Sequence, residues 1–337
     1  MMALSPPSLG RRLVRVGLGF GLFLGLSLVA GMLWGSAPSE WHQSLRALLG
    51  LPVADDILPT ILWQLRFPRV LLAALVGATL SLGGLVFQAL LHNPLAEPYI
   101  LGISGGAAVG AILGILLNLA PFPGIAFLAF LGSLATVVLV VILTPRQAGR
   151  EKNALLLAGV MVNALCTAII LFLVTITQDS RLHNILYWLM GDLAMALPAQ
   201  IYGLALLLLP GYLIIFALAR PLNLLYLGEE QAAFLGLPVQ ATTYFLLGLT
   251  SLLLSAVVCQ SGLVGFVGLV VPHLLRLWLG ADHRVLVPAC ILGGGAYLVW
   301  CDLLARAVPA QGEMPVGVVT ALLGAPLFIF LLQRSRR

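Results

Sequence analysis

An all-α, polytopic integral membrane protein with about ten transmembrane helices and both termini cytoplasmic is the fold class this sequence predicts. Three observations carry the expectation. Of 337 residues, 61% are hydrophobic and 9% charged, with a mean hydropathy of +1.09, whereas an ordinary soluble domain is about 25% charged. Apolar runs recur along the whole chain, and about 20 residues at about 1.5 Å rise cross the roughly 30 Å of hydrocarbon. Basic residues alternate in density between the intervals that separate those runs.

The runs fall near 13–34, 66–90, 99–118, 122–144, 154–176, 200–219, 241–258, 264–280, 285–304 and 315–332. The first follows Arg11, Arg12 and Arg15 as a signal peptide would, but it exceeds the 7 to 15 residues or so of a signal core, and Ser36-Ala37-Pro38 is a poor cleavage site. It reads as a retained first helix. With the N-terminus inside, twelve of the seventeen basic residues fall in cytoplasmic segments, and Arg46, Arg66, Arg69, Arg181 and Arg306 fall outside. That balance obeys the positive-inside rule. The polar intervals 35–65 and 177–199 carry Trp41, Trp63, Tyr187 and Trp188, which suits short interfacial helices. Glycines at four-residue spacing, Gly17-Gly21-Gly25 and Gly102-Gly106-Gly110-Gly114, predict close helix approach. The whole chain, 1–337, reads as a single transmembrane domain.

Composition excludes a collagen, a disordered chain and a nucleic-acid binder. Cys166, Cys259, Cys290 and Cys301 lie inside apolar runs without a CxxC pair, so neither a disulfide framework nor a zinc site is expected. No metal site and no catalytic residue is expected either. A phosphate loop of the form G-x-x-x-x-G-K-[ST] is missing, and the sole lysine, Lys152, lies in none, so nucleotide energy has to come from a partner. An ion-coupled secondary transporter acting alone is the alternative. It calls for a mid-membrane carboxylate or broken helices, and the sequence offers neither clearly. Asp302 and Arg306 are one turn apart, where pairing within the helix suffices as an account.

Residues 228–239 join the sixth and seventh runs on the cytoplasmic side and read as two short helices around Gly236. Glu229 and Glu230 favour the first N-terminus, and Pro238 suits the next first turn. The residues alone leave open whether this is a knob for a partner to grip or a solvated loop.

Four motifs then carry a resemblance. Leu65-Arg66-Phe67-Pro68-Arg69-Val70, His92-Asn93-Pro94-Leu95-Ala96-Glu97-Pro98, Gly265-Phe266-Val267-Gly268-Leu269-Val270-Val271-Pro272-His273, and Pro315 to Thr320 with Gly324-Ala325-Pro326 resemble the permease subunits of ABC importers for iron-siderophores, haem and vitamin B12. The similarity runs from about residue 60 to the C-terminus. It implies a ten-helix subunit of a homodimer in the bacterial inner membrane, with a path at the two-fold axis. It also implies two cytoplasmic ATP-binding subunits, which carry ATP and Mg, and an external substrate-binding protein. Glu229, Glu230, Ala233, Gly236, Leu237 and Pro238 match the family's coupling helices. Arg66, Arg69 and Arg306 match its external docking arginines, with headgroup anchoring and the Asp302 pair as alternatives. Asn93, Leu95, Lys152 and Asn153 fall where the family closes the path toward the cytoplasm. Lys152 departs from the small hydroxyl residue of some relatives, and a positive-inside anchor is its other reading. Siderophore, haem and cobalamin all stay open as cargo.

Overall fold

The computed structural model of the chain describes residues 9–35, 41–53, 56–144, 151–194, 196–309 and 312–335, with side chains at all of these except 151–153, 332, 334 and 335. All regular structure among the described residues is helical. We number the helices α1 (Leu9–Leu33), α2 (Trp41–Leu48), α3 (Leu58–Leu90), α4 (Ile103–Leu116), α5 (Pro121–Leu143), α6 (Glu151–Thr175) and α7 (Asp179–Met190). There follow α8 (Pro198–Ala217), α9 (Ala219–Leu227), α10 (Glu229–Phe234), α11 (Val239–Ser261), α12 (Val267–Leu279), α13 (His283–Ala307) and α14 (Val316–Ser335). Each expected apolar run coincides with a helix, and the two polar intervals hold the short helices α2 and α7. Among the described residues, seven helices, α1, α3, α5, α6, α8, α11 and α13, are long and apolar enough to cross a bilayer.

α3 is the axis of the bundle. After a first α-helical turn it carries a π-helical one, Ile61–Arg66, because Pro68 has no N–H to return to the carbonyl four residues back, so the preceding turn widens. From Phe67 to Leu90 every residue except Phe67, Leu71 and Leu75 is buried, against α13, α11, α12 and α1. Lipid supplies no hydrophobic drive between helices, so close packing through small residues must do so. A Cβ on Gly84 would lie 1.7 Å from Gly268 O, and one on Gly77 would lie 2.3 Å from Gly294 O.

The glycine expectation divides. Gly106 and Gly110 of α4 press on the backbone of α5, where a Cβ would stand 2.3 Å from Gly132 O and 2.1 Å from Leu128 O. Gly102, by contrast, is the left-handed residue that precedes α4, with φ of 79°. Gly17, Gly21 and Gly25 have nothing within 4 Å of their Cβ positions. α1 packs instead through its far end, where Gly31 meets Val70 and Trp300 Nε1 donates to Ser27 Oγ at 3.0 Å.

The other departures are breaks in the helices. α4 has 14 residues and α12 has 13, about 20 Å each, because irregular chain runs into the bundle before both. Residues 93–102 precede α4, and 262–266 precede α12. The two stretches meet: Tyr99 Oη donates to Val264 O at 3.0 Å and accepts from Val264 N at 3.1 Å, and Glu97 Oε1 accepts from Phe266 N at 3.0 Å. Phe266 is held at φ of 67°, a region that bulky residues seldom enter. In the 228–239 segment only one short helix forms, α10. Past Gly236, at φ of 84°, the chain enters α11 directly with Pro238 as its N-cap.

The glycine contacts are testable. Gly84→Ala drives a methyl group into a backbone carbonyl and should cost about 1 to 3 kcal/mol, read as a lower melting temperature in detergent. Gly203→Ala meets open space and should be neutral or slightly stabilising.

Candidate functional site

The chemistry collects at two ends of the bundle. At one end, Arg66, Arg69 and Arg306, which the sequence places at helix ends as outward docking residues, come together, and they are 5%, 9% and 3% exposed. Asp302, fully buried, lies between two of them, 2.8 Å from Arg69 Nε and 2.9 Å from Arg306 Nε. Arg69 also pairs with Glu313 at the edge of the cluster. The last turn of α1 completes the arrangement. Arg66 Nη1 donates to Met32 O and Leu33 O at 3.0 and 3.2 Å, and Arg306 donates to Trp34 O and Gly31 O at 3.1 and 3.2 Å. These carbonyls have no partner within the helix and carry the negative end of its dipole. Three guanidinium groups thus face two carboxylates and one helix C-terminus, which leaves a modest positive excess.

Beside this cluster a cavity of about 550 Å3 opens between α7 and the ends of α4, α5 and α11, lined among others by Phe122, Arg181, His183, Tyr187, Trp188 and Gln260. Arg181 Nη1 donates to Leu116 O at 2.6 Å, tying α7 to the end of α4. Asp192 also borders the cavity. Its backbone N–H donates to Ser261 O at 2.9 Å, and its Oδ1 accepts from Ala194 N at 2.7 Å. Tyr187 and Asp192 additionally line a small recess that reaches Arg69 and Glu313. The cavity and the arginine cluster are therefore neighbours.

At the opposite end stands the knob. Glu229 and Glu230 occupy the first turn of α10. Ala232 is buried beneath them, whereas Ala233, Gly236 and Pro238 are exposed and Leu237 is half-buried. The outermost side chain is Phe234, 95% exposed. α9, directly before the knob, is braced by polar contacts. Asn223 Nδ2 donates to Asp282 Oδ1 at 2.8 Å, and Asn223 Oδ1 accepts from the His283 N–H at 2.8 Å. Arg284 grips Asp282 through two nitrogens and holds its carboxyl well below the usual carboxylate range. A depressed value gives stability that is present above the ordinary carboxylate pKa and lost as pH falls through the lowered one.

The four residues that the family resemblance assigns to a gate lie at this end too. Asn93 Oδ1 accepts from Leu95 N at 2.9 Å, an Asx turn that follows His92 at φ of 51°, and Leu95 is exposed. Lys152 and Asn153 stand in the first turn of α6, but their side chains lie outside the described residues. α6 packs on the chain that follows the Asn93 turn, where a Cβ on Gly159 would be 2.2 Å from Ile100 O. The sequence reading did not single out Phe234, the α7 lining or the Asn223–Asp282 brace. An exposed Phe among polar neighbours was the available signal for the first. Nothing local announces the other two.

A bundle of long apolar helices, with a chamber at one end and an exposed apolar knob at the other, defines a multi-pass membrane transport protein. The comparisons with known proteins agree. A family model described as the FecCD transport family matches residues 23–334, and the chain belongs to that family. The hemin transport system permease protein HmuU of Yersinia pestis is 42% identical over 333 residues, covering 97% of this chain and 98% of the relative. The vitamin B12 import system permease protein BtuC of Citrobacter koseri is 40% identical over 314 residues, covering 93% and 91%. A solved structure titled as an inward-facing conformation of a metal-chelate type ABC transporter matches with a TM-score of 0.84 and 31% identity, over 95% of this chain and 99% of that one. PsaBC from Streptococcus pneumoniae, at 17% identity and a TM-score of 0.56, shares the fold alone. The protein is thus a permease subunit of the ABC importer class.

The buried ion pairs generate a test. Asp302→Ala leaves Arg69 and Arg306 desolvated without their shared carboxylate, and breaking a buried pair costs about 3 to 5 kcal/mol. The melting temperature should fall sharply. Arg284→Ala, at the half-buried pair of the other end, should lower it far less.

Proposed function

We propose that this chain, as a homodimer in the bacterial inner membrane, passes a metal-chelate cofactor inward by alternating access. Two separate ATP-binding subunits would supply the energy, and an external substrate-binding protein would deliver the cargo. The observation that carries the proposal is the opposition of a polar-lined chamber at one end to an exposed apolar knob at the other, with broken helices between them. Iron-siderophore, haem and cobalamin are the cargo classes, and haem and vitamin B12 are named by relatives that align over nearly the whole chain.

Each part has a physical role. Alternating access needs elements that shift without leaving backbone groups unpaired in lipid, and short helices with irregular entries buried in protein provide them. The knob, Glu229 to Pro238 with Phe234 at its tip, is suited to a cleft on an ATPase, because a buried aromatic anchor supplies much of the energy of an interface. ATP and Mg would be bound by that subunit, since this chain lacks a phosphate loop, and no catalytic role is assigned to the permease. Asn93, Leu95, Lys152 and Asn153 would close the path at the knob end, and both termini would be cytoplasmic. For Arg66, Arg69 and Arg306, burial redirects the docking proposal. They would shape and charge the surface that receives an acidic partner, with Arg69 and Glu313 at its edge, rather than reach out singly.

The alternative, an ion-coupled carrier acting alone, asks for a carboxylate on a broken helix, and Glu97 meets that description in form. Its Oε1 accepts from the Phe266 N–H, so a structural duty accounts for it.

Assembled with a cognate ATPase in vesicles, the wild-type chain should support ATP-dependent chelate uptake, and the isolated permease should bind no ATP at micromolar concentration. The double variant Glu229→Lys/Glu230→Lys, and separately Phe234→Ala, should insert normally yet uncouple ATP hydrolysis from uptake. Uptake that proceeds without the ATPase subunit, driven by an ion gradient, would replace this reading with the carrier.

A further inference from the structure

One amide side chain fastens the helix that carries the knob to the start of α13. Arg284 grips Asp282 and keeps it ionised, and a carboxylate only accepts hydrogen bonds. The atom of Asn223 that lies 2.8 Å from Asp282 Oδ1 is therefore its NH2 group, which turns Asn223 Oδ1 toward α13. There Oδ1 is 2.8 Å from the His283 backbone N and 2.8 Å from His283 Nδ1. A carboxamide oxygen also only accepts, so the imidazole carries its proton on Nδ1. Asn223 thus holds both the N-cap of α13, Asp282, and its first residue, the fully buried His283. Three residues further along α9, Tyr226 sets its ring 5.6 Å from that of His283, and the Arg276 guanidinium sits over its face, 5.2 Å from the centre. Arg276 Nη2 donates in turn to Gln88 Oε1 of α3 at 3.2 Å. Leu222 and Leu225 bury apolar surface beside these contacts. Dispersion is undirected and lets helices slide, whereas short hydrogen bonds fix a position.

Resting on the importer reading above, we propose that Asn223 is a positioning residue for coupling, the joint through which a displacement of the knob is handed to α13 by way of Asp282 and His283. Only Gly228 separates α9 from α10. Its N–H donates to Leu225 O at 3.1 Å and its carbonyl accepts from Ala232 N at 3.0 Å, so hydrogen bonds close the junction on both sides. Ala232 is itself buried. A turn of the knob therefore carries α9 with it, and Asn223 is where α9 meets α13 by directed bonds. α13 is continuous from His283 to Ala307, and Asp282 and Asp302 stand about 30 Å apart along it at about 1.5 Å per residue. A close-packed helix compresses little and passes a push along its axis. The far end of this rod is the cluster where Asp302 meets Arg69 and Arg306 beside the recess that leads to the chamber. Asn223 touches neither cargo nor nucleotide in this account, and acts through the helix it holds.

The test is a charge exchange in the permease–ATPase complex, reconstituted in vesicles with the binding protein and with whichever of hemin, cyanocobalamin or a ferric trihydroxamate the wild type imports. Asn223→Asp sets two carboxylates face to face and should cut uptake per ATP hydrolysed about fivefold or more. Hydrolysis should continue and the complex should still assemble, because the surface of the knob is untouched. Adding Asp282→Asn puts a donor and an acceptor back at the same two places in reversed order, with Asn still a good N-cap. The double variant should return to within about twofold of the wild-type ratio, as expected of two residues that act as a pair. A wild-type ratio in Asn223→Asp, a proportional fall of hydrolysis and uptake, or a double variant as uncoupled as the single one overturns the assignment. If Asn223→Asp does not assemble, Asn223→Ala, which adds no charge, replaces it: a lowered ratio in an intact complex supports the joint, and a wild-type ratio overturns it. ATP-independent uptake by the wild type would instead remove the importer reading, and this inference with it.

Discussion

The structure depends on one constraint: a backbone amide or carbonyl inside a bilayer has no water to bond with. Regular helices meet it within themselves, but a permease made only of regular helices would have no element able to change its path. This chain interrupts its helices at 93–102 and 262–266 and lays the two irregular stretches against each other. One phenol, Tyr99, serves both the N–H and the C=O of Val264, and one carboxylate, Glu97, serves the N–H of Phe266. The same accounting extends outward, with Asp192 N on Ser261 O and Val316 N on Gly191 O. The loop after α7, the entry to α12 and the start of α14 thereby form one bonded patch next to the chamber.

Around that patch, two kinds of contact fix the helices. Where α3 crosses α12 and α13, glycines bring backbone to backbone, and dispersion between closely set atoms takes the place of the missing hydrophobic drive. At the bundle end that holds the chamber, charge takes over. Buried ion pairs are poor sources of net stability, because desolvation offsets the attraction, so the five charged groups of this cluster, Asp302 among them, are better understood as a device that sets position. They lock the last turn of α1 to α3 and α13, beside the small recess that leads to the chamber.

Much of this was legible in the residues. Apolar runs gave the helices and their order, because hydrophobic length is a local property that a sequence carries on its face. Asp302 and Arg306 could be paired from spacing alone, since an interval of four residues on a helix is itself a geometric statement. Glu229 and Glu230 could be placed at a helix start by the same kind of argument. Breaks were harder. The chain 99–118 reads as continuous apolar sequence, and nothing within it says that a 3-10 turn over Pro98–Leu101 and a left-handed Gly102 precede the α-helix, because the reason lies some 165 residues away at Val264 and Phe266.

What the sequence determined by itself was therefore the membrane class, the order of helices and the location of the knob. Only the tertiary structure decided that the glycines of α1 lack a tight contact while those of α4 have one, that Arg66, Arg69 and Arg306 turn inward, and that α7 closes one wall of a chamber. The physical reason is the same in each case. Burial, shared hydrogen bonds and cavity walls belong to pairs of surfaces distant in the chain, and a single stretch of residues carries information about only one member of each pair.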